Sequence, residues 1–385
     1  MRLIYSHTIT DIMELNSHQS NSLFDTTVHL VYPHGEKISC PDAIGRHLAE
    51  RLSKRYRVLL YDWQVFGKIR PGPNDVLIGH ACPVYMTLFR RSLRLAGWKR
   101  VLLMSAYCHG DDHMVAYNER ILRHCDLYLA ITGNYWFQDI RNSGFAHWRP
   151  KMRHLDLGIN RAEYPALKKT FNRPGSRKFL YVGREGFTSR AKNIPYLVEI
   201  AAAMPGTDFG WAGTTTSHGR IEPLGSRDFG TATSRSLVAE YDFLITVGST
   251  DSNPATILEG MAWGLIPVCT PQSGYVGYES IINVPLGSLQ KTVEILRGLQ
   301  DAPDHVLYEK QAANWRLLDS HFNWDRFADQ VVEAIESKES PSCLPVSSMR
   351  RCNLLISELT NPLWLSLLDP RKAAKRARML RFKTS

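Results

Sequence analysis

Apolar and polar positions along the chain switch repeatedly between two periods. Short continuous apolar runs, rich in β-branched residues, read as strands buried on both faces. In the first half these are Val28–Tyr32, Arg57–Tyr61, Asp75–Gly79, Arg100–Ala106 and Cys125–Ile131. Between them, Asp42 to Tyr56 sets Ile44, Leu48 and Leu52 on one face, the spacing of a helix, and a second helix is expected near Tyr85–Ala96. Arg161 to Lys178 is polar and carries Pro165, Pro174 and Gly175, which reads as a linker. The alternation then restarts with strand Lys178–Val182, helix Ile194–Ala203 and strands Asp208–Trp211, Phe243–Val247 and Leu265–Cys269. Trp324–Glu336 is a last helix. This order predicts an α/β protein with two Rossmann-like, doubly wound parallel sheets. The expected plan is a loosely ordered leader (1–25), a first domain (26–162), a linker (163–178) and a second domain (179–322). A closing helix (323–336) and a tail (337–385) follow.

The chain is organised around Asp251–Gly274, DSNPATILEGMAWGLIPVCTPQSG. Pro254 suits the first turn of a helix, where its missing N–H has no partner to lose. Ala255–Trp263 follows as a short apolar helix that Gly264 ends. One charge interrupts it: Glu259, amid Ile257, Leu258, Met261 and Ala262. A carboxylate there must face a cleft or find a partner, because burying it alone is costly. In an open parallel sheet the cleft lies beyond the carboxyl ends of the strands. A helix start at that place offers free N–H groups to an anion.

Asp251 and Glu259 have the spacing acid-x7-acid, followed by G-M-A-x-G-x-I-P-V. This resembles the acidic signature of retaining glycosyltransferases with two facing Rossmann-like domains (GT-B), the family 4 or group 1 type. The resemblance covers roughly 28–336 and is strongest in 179–274. It implies transfer of a hexose from a nucleoside-diphosphate sugar with retention of configuration, and no other cofactor. In that family the second acid typically holds the ribose, which falls here to Glu259. The first lies near the sugar, and where the family usually has Glu this chain has Asp251. The same resemblance assigns Gly183-Arg184, at a strand end, and Lys192, at the next helix, to the diphosphate. Arg190 is an alternative to Lys192, and a solvated basic loop is the bland alternative to both. Backbone at Ala255 and Thr256 would meet phosphate, and Ser273-Gly274 stands in place of the family's glycine pair. A His at the end of a first-domain strand often faces the donor sugar, a role carried to His109.

His109 has two competing readings. With Asp111, Asp112 and His113 it could bind a metal, although no H-E-x-x-H pattern occurs. It could also lie in a polar surface loop. No Asp-x-Asp tripeptide occurs, so no metal-bridged diphosphate is indicated. The first-strand loop, Pro33-His34-Gly35-Glu36-Lys37, has one Gly where the family often has two.

Composition narrows the setting. The chain has 385 residues, enough for two domains, and 44% are hydrophobic. Seven Cys are scattered with no C-x-x-C pair, which argues against a disulfide framework or a zinc ribbon. No signal peptide opens the chain and no apolar run reaches the length of a membrane span. A cytoplasmic location is therefore expected. The net charge is +10, and from Pro345 onward nine Lys/Arg face two acids. That asymmetry reads as a basic appendage rather than a nucleic-acid-binding face. Residues 371–383 read as a basic amphipathic helix suited to an anionic membrane surface, with a solvated tail as the alternative. A glycan or lipid-linked acceptor in cell-surface polysaccharide assembly is the matching expectation. Two other classes stay open: a GT-B protein that binds nucleotide-sugar without transfer, and a GT-B epimerase or phosphorylase.

Overall fold

In the computed structural model the described residues are 25–33, 40–63, 65, 67–80, 87–109, 118–119, 121–184 and 189–343, with the side chains of Thr87, Ser189 and Arg190 excepted. The leader up to residue 24, the loop 34–39, Asp111, Asp112, His113, the Arg190 side chain and the tail from 344 lie outside this set.

The described residues form two six-stranded sheets, both wholly parallel, each with flanking helices. The first contains β1 (Thr27–Tyr32), β2 (Arg57–Asp62), β3 (Val76–Gly79), β4 (Arg100–Ala106), β5 (Leu127–Ile131) and β6 (Met152–Leu155) in the order β2-β1-β3-β4-β5-β6. The second contains β7 (Phe179–Val182), β8 (Phe209–Ala212), β9 (Ile221–Pro223), β10 (Phe243–Thr246), β11 (Ile266–Cys269) and β12 (Ile282–Asn283) in the order β12-β11-β10-β7-β8-β9. In each sheet the strand order reverses once, at β1/β3 and at β7/β10. Such a reversal opens a crevice at the carboxyl ends of the strands.

Strands buried on both faces need apolar residues at every position, which is why the sequence shows runs rather than alternation. β3, β5, β8, β10 and β11 are buried throughout. The expected strands appear within one or two residues. The sequence reading did not find β6, β9, β12 or the helices Gly133–Asp139, Ala232–Ala239, Leu289–Asp301 and Asp304–Ser320. β6 (MRHL) mixes polar and apolar residues because it is an edge strand, buried only at its ends.

The helices Ile194–Ala203, Ala255–Trp263 and Trp324–Glu336 fall where the pattern predicts them. Gly264 caps the second of these at φ 89°, a left-handed conformation that only glycine adopts cheaply. Pro254 differs slightly from expectation. It is the N-cap, extended at φ −66° and ψ 129°, and the helix begins at Ala255.

The last helix, Trp324–Glu336, packs on the first-domain helix Cys40–Leu52. Trp324 stacks on His47 with centroids 4.7 Å apart, Arg51 Nε bonds Asp325 at 2.7 Å, and Tyr56 donates to Glu336 at 2.9 Å. One hydrophobic cluster runs from the first sheet through Leu155, Leu157, Ile159 and Phe322 to Leu180, Leu244 and Leu258 of the second sheet and its helix. The two sheets are therefore joined by continuous apolar packing.

Candidate functional site

The site is built at the reversal between β7 and β10. Tyr181 and Val182 end β7, Thr246 ends β10, and Gly248 and Asp251 follow in the next loop. With Lys192 and Thr256 they line one small cavity. Three of the residues singled out in the sequence (Lys192, Asp251 and Thr256) are thus brought to one place.

Asp251 has no ion pair or hydrogen bond among the described residues. Burial pushes its carboxyl up from the usual range, and the Lys192 ammonium pulls the other way. Lys192 ends the short helix Ser189–Lys192, and the backbone turns there through Asn193 at φ 53°. The N–H groups of Ser249 and Thr250 both bond the Ala191 carbonyl, at 2.8 and 3.3 Å. Those bonds tie the acid loop to the lysine helix.

Glu259 sits one helical turn beyond Thr256. No hydrogen bond or ion pair reaches its carboxylate among the described residues. Desolvation alone pushes its carboxyl up to about 6. A carboxylate in that condition is an acceptor without donors, and hydroxyls of a ligand would supply them. Two groups overlooked in the sequence share its surroundings. The Cys40 thiol, in an exposed residue at the start of a first-domain helix, is pushed up by desolvation and then by Glu259 and Asp251, whose charges reach it. The Tyr164 phenol, just after the short turn Arg161–Glu163, is raised by burial and then by Glu259. Both belong to segments remote in sequence, so no local pattern could have found them.

Tyr181 was also missed, because FLYV reads simply as a buried strand. Its hydroxyl is buried with no hydrogen-bond partner among the described residues, and its phenol is raised by burial and by Asp251. The available signal was a hydroxyl-bearing ring at the carboxyl end of a strand.

The other sequence candidates lie around this cavity. Gly183 follows β7, and a Cβ there would come 2.6 Å from the Tyr181 hydroxyl. Arg184 is exposed and has no ion-pair partner among the described residues. Ala255 opens the helix beside Thr256. Ser273 is fully buried, its hydroxyl 3.3 Å from both Thr270 and Thr246, so its side chain is engaged within the fold. Gly274, at φ 91°, presses on the first domain, and a Cβ would lie 2.7 Å from the Thr132 carbonyl oxygen. On the first-domain side, His109 Nε2 lies 3.0 Å from Asp139 Oδ2. No group of three or more metal-ligating side chains occurs among the described residues.

The two sides of the cleft meet through several bonds. Trp136 Nε1 donates to the Gln272 carbonyl at 2.7 Å. Asn253, at φ 53° in the acid loop, accepts the Leu157 N–H at 2.9 Å. Beside it Asp156 is held well below the usual carboxylate range. Burial would raise it, but His154 and His321 outweigh that, with His321 Nε2 at 2.9 Å.

This arrangement of two facing doubly wound sheets recurs in solved structures. A lipopolysaccharide outer core galactosyltransferase, WaaB, superposes with a TM-score of 0.58 at 12% identity, over 81% of this chain and 99% of that one. The fold is GT-B. Sucrose-phosphate synthase from Thermosynechococcus elongatus gives 0.57 at 14% identity, over 80% of this chain and 98% of that one. Anabaena Alr3699/HepE, in complex with UDP and glucose, gives 0.54 at 11% identity over 80% and 99%. No protein-family model matches the chain, and no curated protein matches it. At these identities the likeness fixes the GT-B fold and nothing finer.

Proposed function

We propose that the chain is a retaining hexosyltransferase, resembling glycosyltransferase family 4, that moves a sugar from a nucleoside-diphosphate sugar to a glycan or lipid-linked acceptor. One observation carries this reading: the desolvated, unpartnered carboxylate of Glu259 beside the β7/β10 reversal of a GT-B fold. It suits the two ribose hydroxyls of a nucleotide. The solved GT-B structure of Anabaena Alr3699/HepE in complex with UDP and glucose supports the ligand class.

In this reading Lys192 and Arg184 hold the diphosphate, with the N–H groups of Ala255 and Thr256. Charge develops on the diphosphate as it leaves, so fixed cations there lower the barrier. Asp251 and His109 face the sugar. Asp251 has the burial and the lysine neighbour suited to a donor-sugar contact. The cross-cleft bonds through Trp136 and Asn253 keep the halves closed, which excludes water and suppresses hydrolysis. The basic stretch 371–383 would carry the enzyme to an anionic membrane surface on the cytoplasmic side, where a lipid-linked acceptor is found.

The test is a thermal-shift panel of UDP, GDP, ADP, TDP and their sugars on wild type, Glu259→Ala and Arg184→Ala. A ligand at about 100 times its dissociation constant stabilises by about 2.7 kcal/mol. One nucleotide that stabilises the wild type and neither variant supports the reading. A flat response across the panel at millimolar ligand sinks it.

A further inference from the structure

The His109–Asp139 pair shows more order than a surface loop needs. The His109 side chain is 12% exposed, and its Nε2 lies 3.0 Å from Asp139 Oδ2. A carboxylate only accepts, so in the neutral ring Nε2 carries the proton and Nδ1 is a bare acceptor. Nδ1 is buried and has no hydrogen-bond partner among the described residues. A buried acceptor left unmade is costly, and it points to a donor that arrives with a ligand.

Asp139 joins two elements. It is the last residue of helix Gly133–Asp139 and the N-cap of the 3-10 turn Ile140–Asn142, yet its side chain makes no capping bond to that turn's backbone. Its other oxygen, Oδ1, accepts from Asn142 Nδ2 at 3.2 Å, so the carboxylate is held by two side chains. The same helix carries Trp136. That ring meets His109 edge-on at 4.8 Å, and its Nε1 donates to Gln272 of the second domain. At the helix start a Cβ on Gly133 would come 2.6 Å from the Gly274 carbonyl oxygen. The element that orients His109 is thus keyed at two points to the 271–274 turn of the donor-side domain.

We propose that Asp139 is a positioning residue. It fixes the tautomer of His109 so that Nδ1 accepts a hydroxyl proton of the sugar carried by the nucleotide. This rests on the proposed donor site and extends it: the substrate must present a free hydroxyl to that nitrogen. A donor lacking it is rejected, because the buried acceptor stays unpaired.

Two measurements test this. The first is ¹⁵N NMR of the imidazole of His109 in the full chain at neutral pH, assigned with His109→Gln. The expected ring is protonated at Nε2 in wild type and moves toward the Nδ1–H form in Asp139→Asn, whose amide can donate to Nε2. The second compares the affinity of the bound nucleotide with that of its sugar conjugate. Asp139→Asn should leave nucleotide affinity unchanged and reduce the added affinity of the sugar by about tenfold. A wild-type ring protonated at Nδ1 overturns the proposal, as does an Asp139→Asn protein that keeps the full sugar increment. If no nucleotide binds the wild type, the donor reading falls and the hydroxyl-acceptor role goes with it. The NMR signal, which needs no ligand, would still report whether Asp139 sets the tautomer.

Discussion

The Asn253 side chain accepts the backbone N–H of Leu157 at 2.9 Å, which joins the loop carrying Asp251 to the end of the first domain. Asn253 is 4% exposed and left-handed at φ 53°, and its own N–H bonds the Ser273 carbonyl at 3.0 Å. Asn tolerates that backbone conformation better than other non-glycine residues. One residue therefore serves the turn, the neighbouring 271–274 segment and the other domain together.

Asn253→Ala should destabilise by about 1–3 kcal/mol, because it leaves the Leu157 N–H buried and adds left-handed strain. Nucleotide affinity should fall as well, since Asp251 loses its tie to the first domain. Denaturant unfolding and a nucleotide titration read the two effects separately. A variant as stable as wild type would show that the bond contributes nothing.

Glu259→Gln should trade binding for stability. With its carboxyl raised to about 6, Glu259 favours the protonated form in the folded chain more than in the unfolded one. Wild-type stability should therefore fall as pH rises from about 4.5 to about 6, then level off. Removing the charge at pH 7 should stabilise the unliganded protein by about 1–2 kcal/mol while weakening nucleotide binding. Melting curves of both proteins across this pH range decide it: a pH-independent difference between them rules the account out.

Lys192→Met should raise the Asp251 carboxyl further, since Lys192 is the group that lowers it. Diphosphate-bearing ligands should lose about tenfold or more in affinity, whereas the nucleoside alone should bind almost as before. Equal losses for both ligands would point to collapse of the cavity instead.

Asp156 sets the acid limit. Its carboxyl is depressed by His154 and His321 despite its burial. Its contribution is present at neutral pH and is lost as pH falls below the ordinary Asp range, near 4. Asp156→Ala should cost about 1–3 kcal/mol at pH 7, because the hydrogen bond between its buried carboxylate and His321 is lost. The difference from wild type should shrink as the pH is lowered toward 3, which acid-unfolding curves would reveal.

Gly274→Ala meets backbone rather than a flexible side chain, with a Cβ 2.7 Å from the Thr132 carbonyl oxygen. The variant should lower the melting temperature and open the cleft, read as an increase in radius of gyration by small-angle scattering. An unchanged radius would show that the turn yields locally.

The sequence by itself determined the alternation of elements. Apolar runs such as FLIT and VLIG demand burial on both faces, and only a parallel sheet covered by helices provides it. It also marked Glu259, because a lone carboxylate among Ile257, Leu258 and Met261 is anomalous wherever the helix packs. β6 was not legible, because it is a half-polar edge strand. Leu289–Asp301 was legible but overlooked: Val293, Leu296 and Leu299 recur at helical spacing and are buried. Only the tertiary structure decided which residues share the site. Tyr181, Cys40 and Tyr164 join it from a strand, a first-domain helix and the segment between the two sheets, and Gly274 serves the domain contact. Those assignments depend on contacts between segments distant in the chain. Periodicity reports which face of an element is buried, and it carries no information about what that face meets.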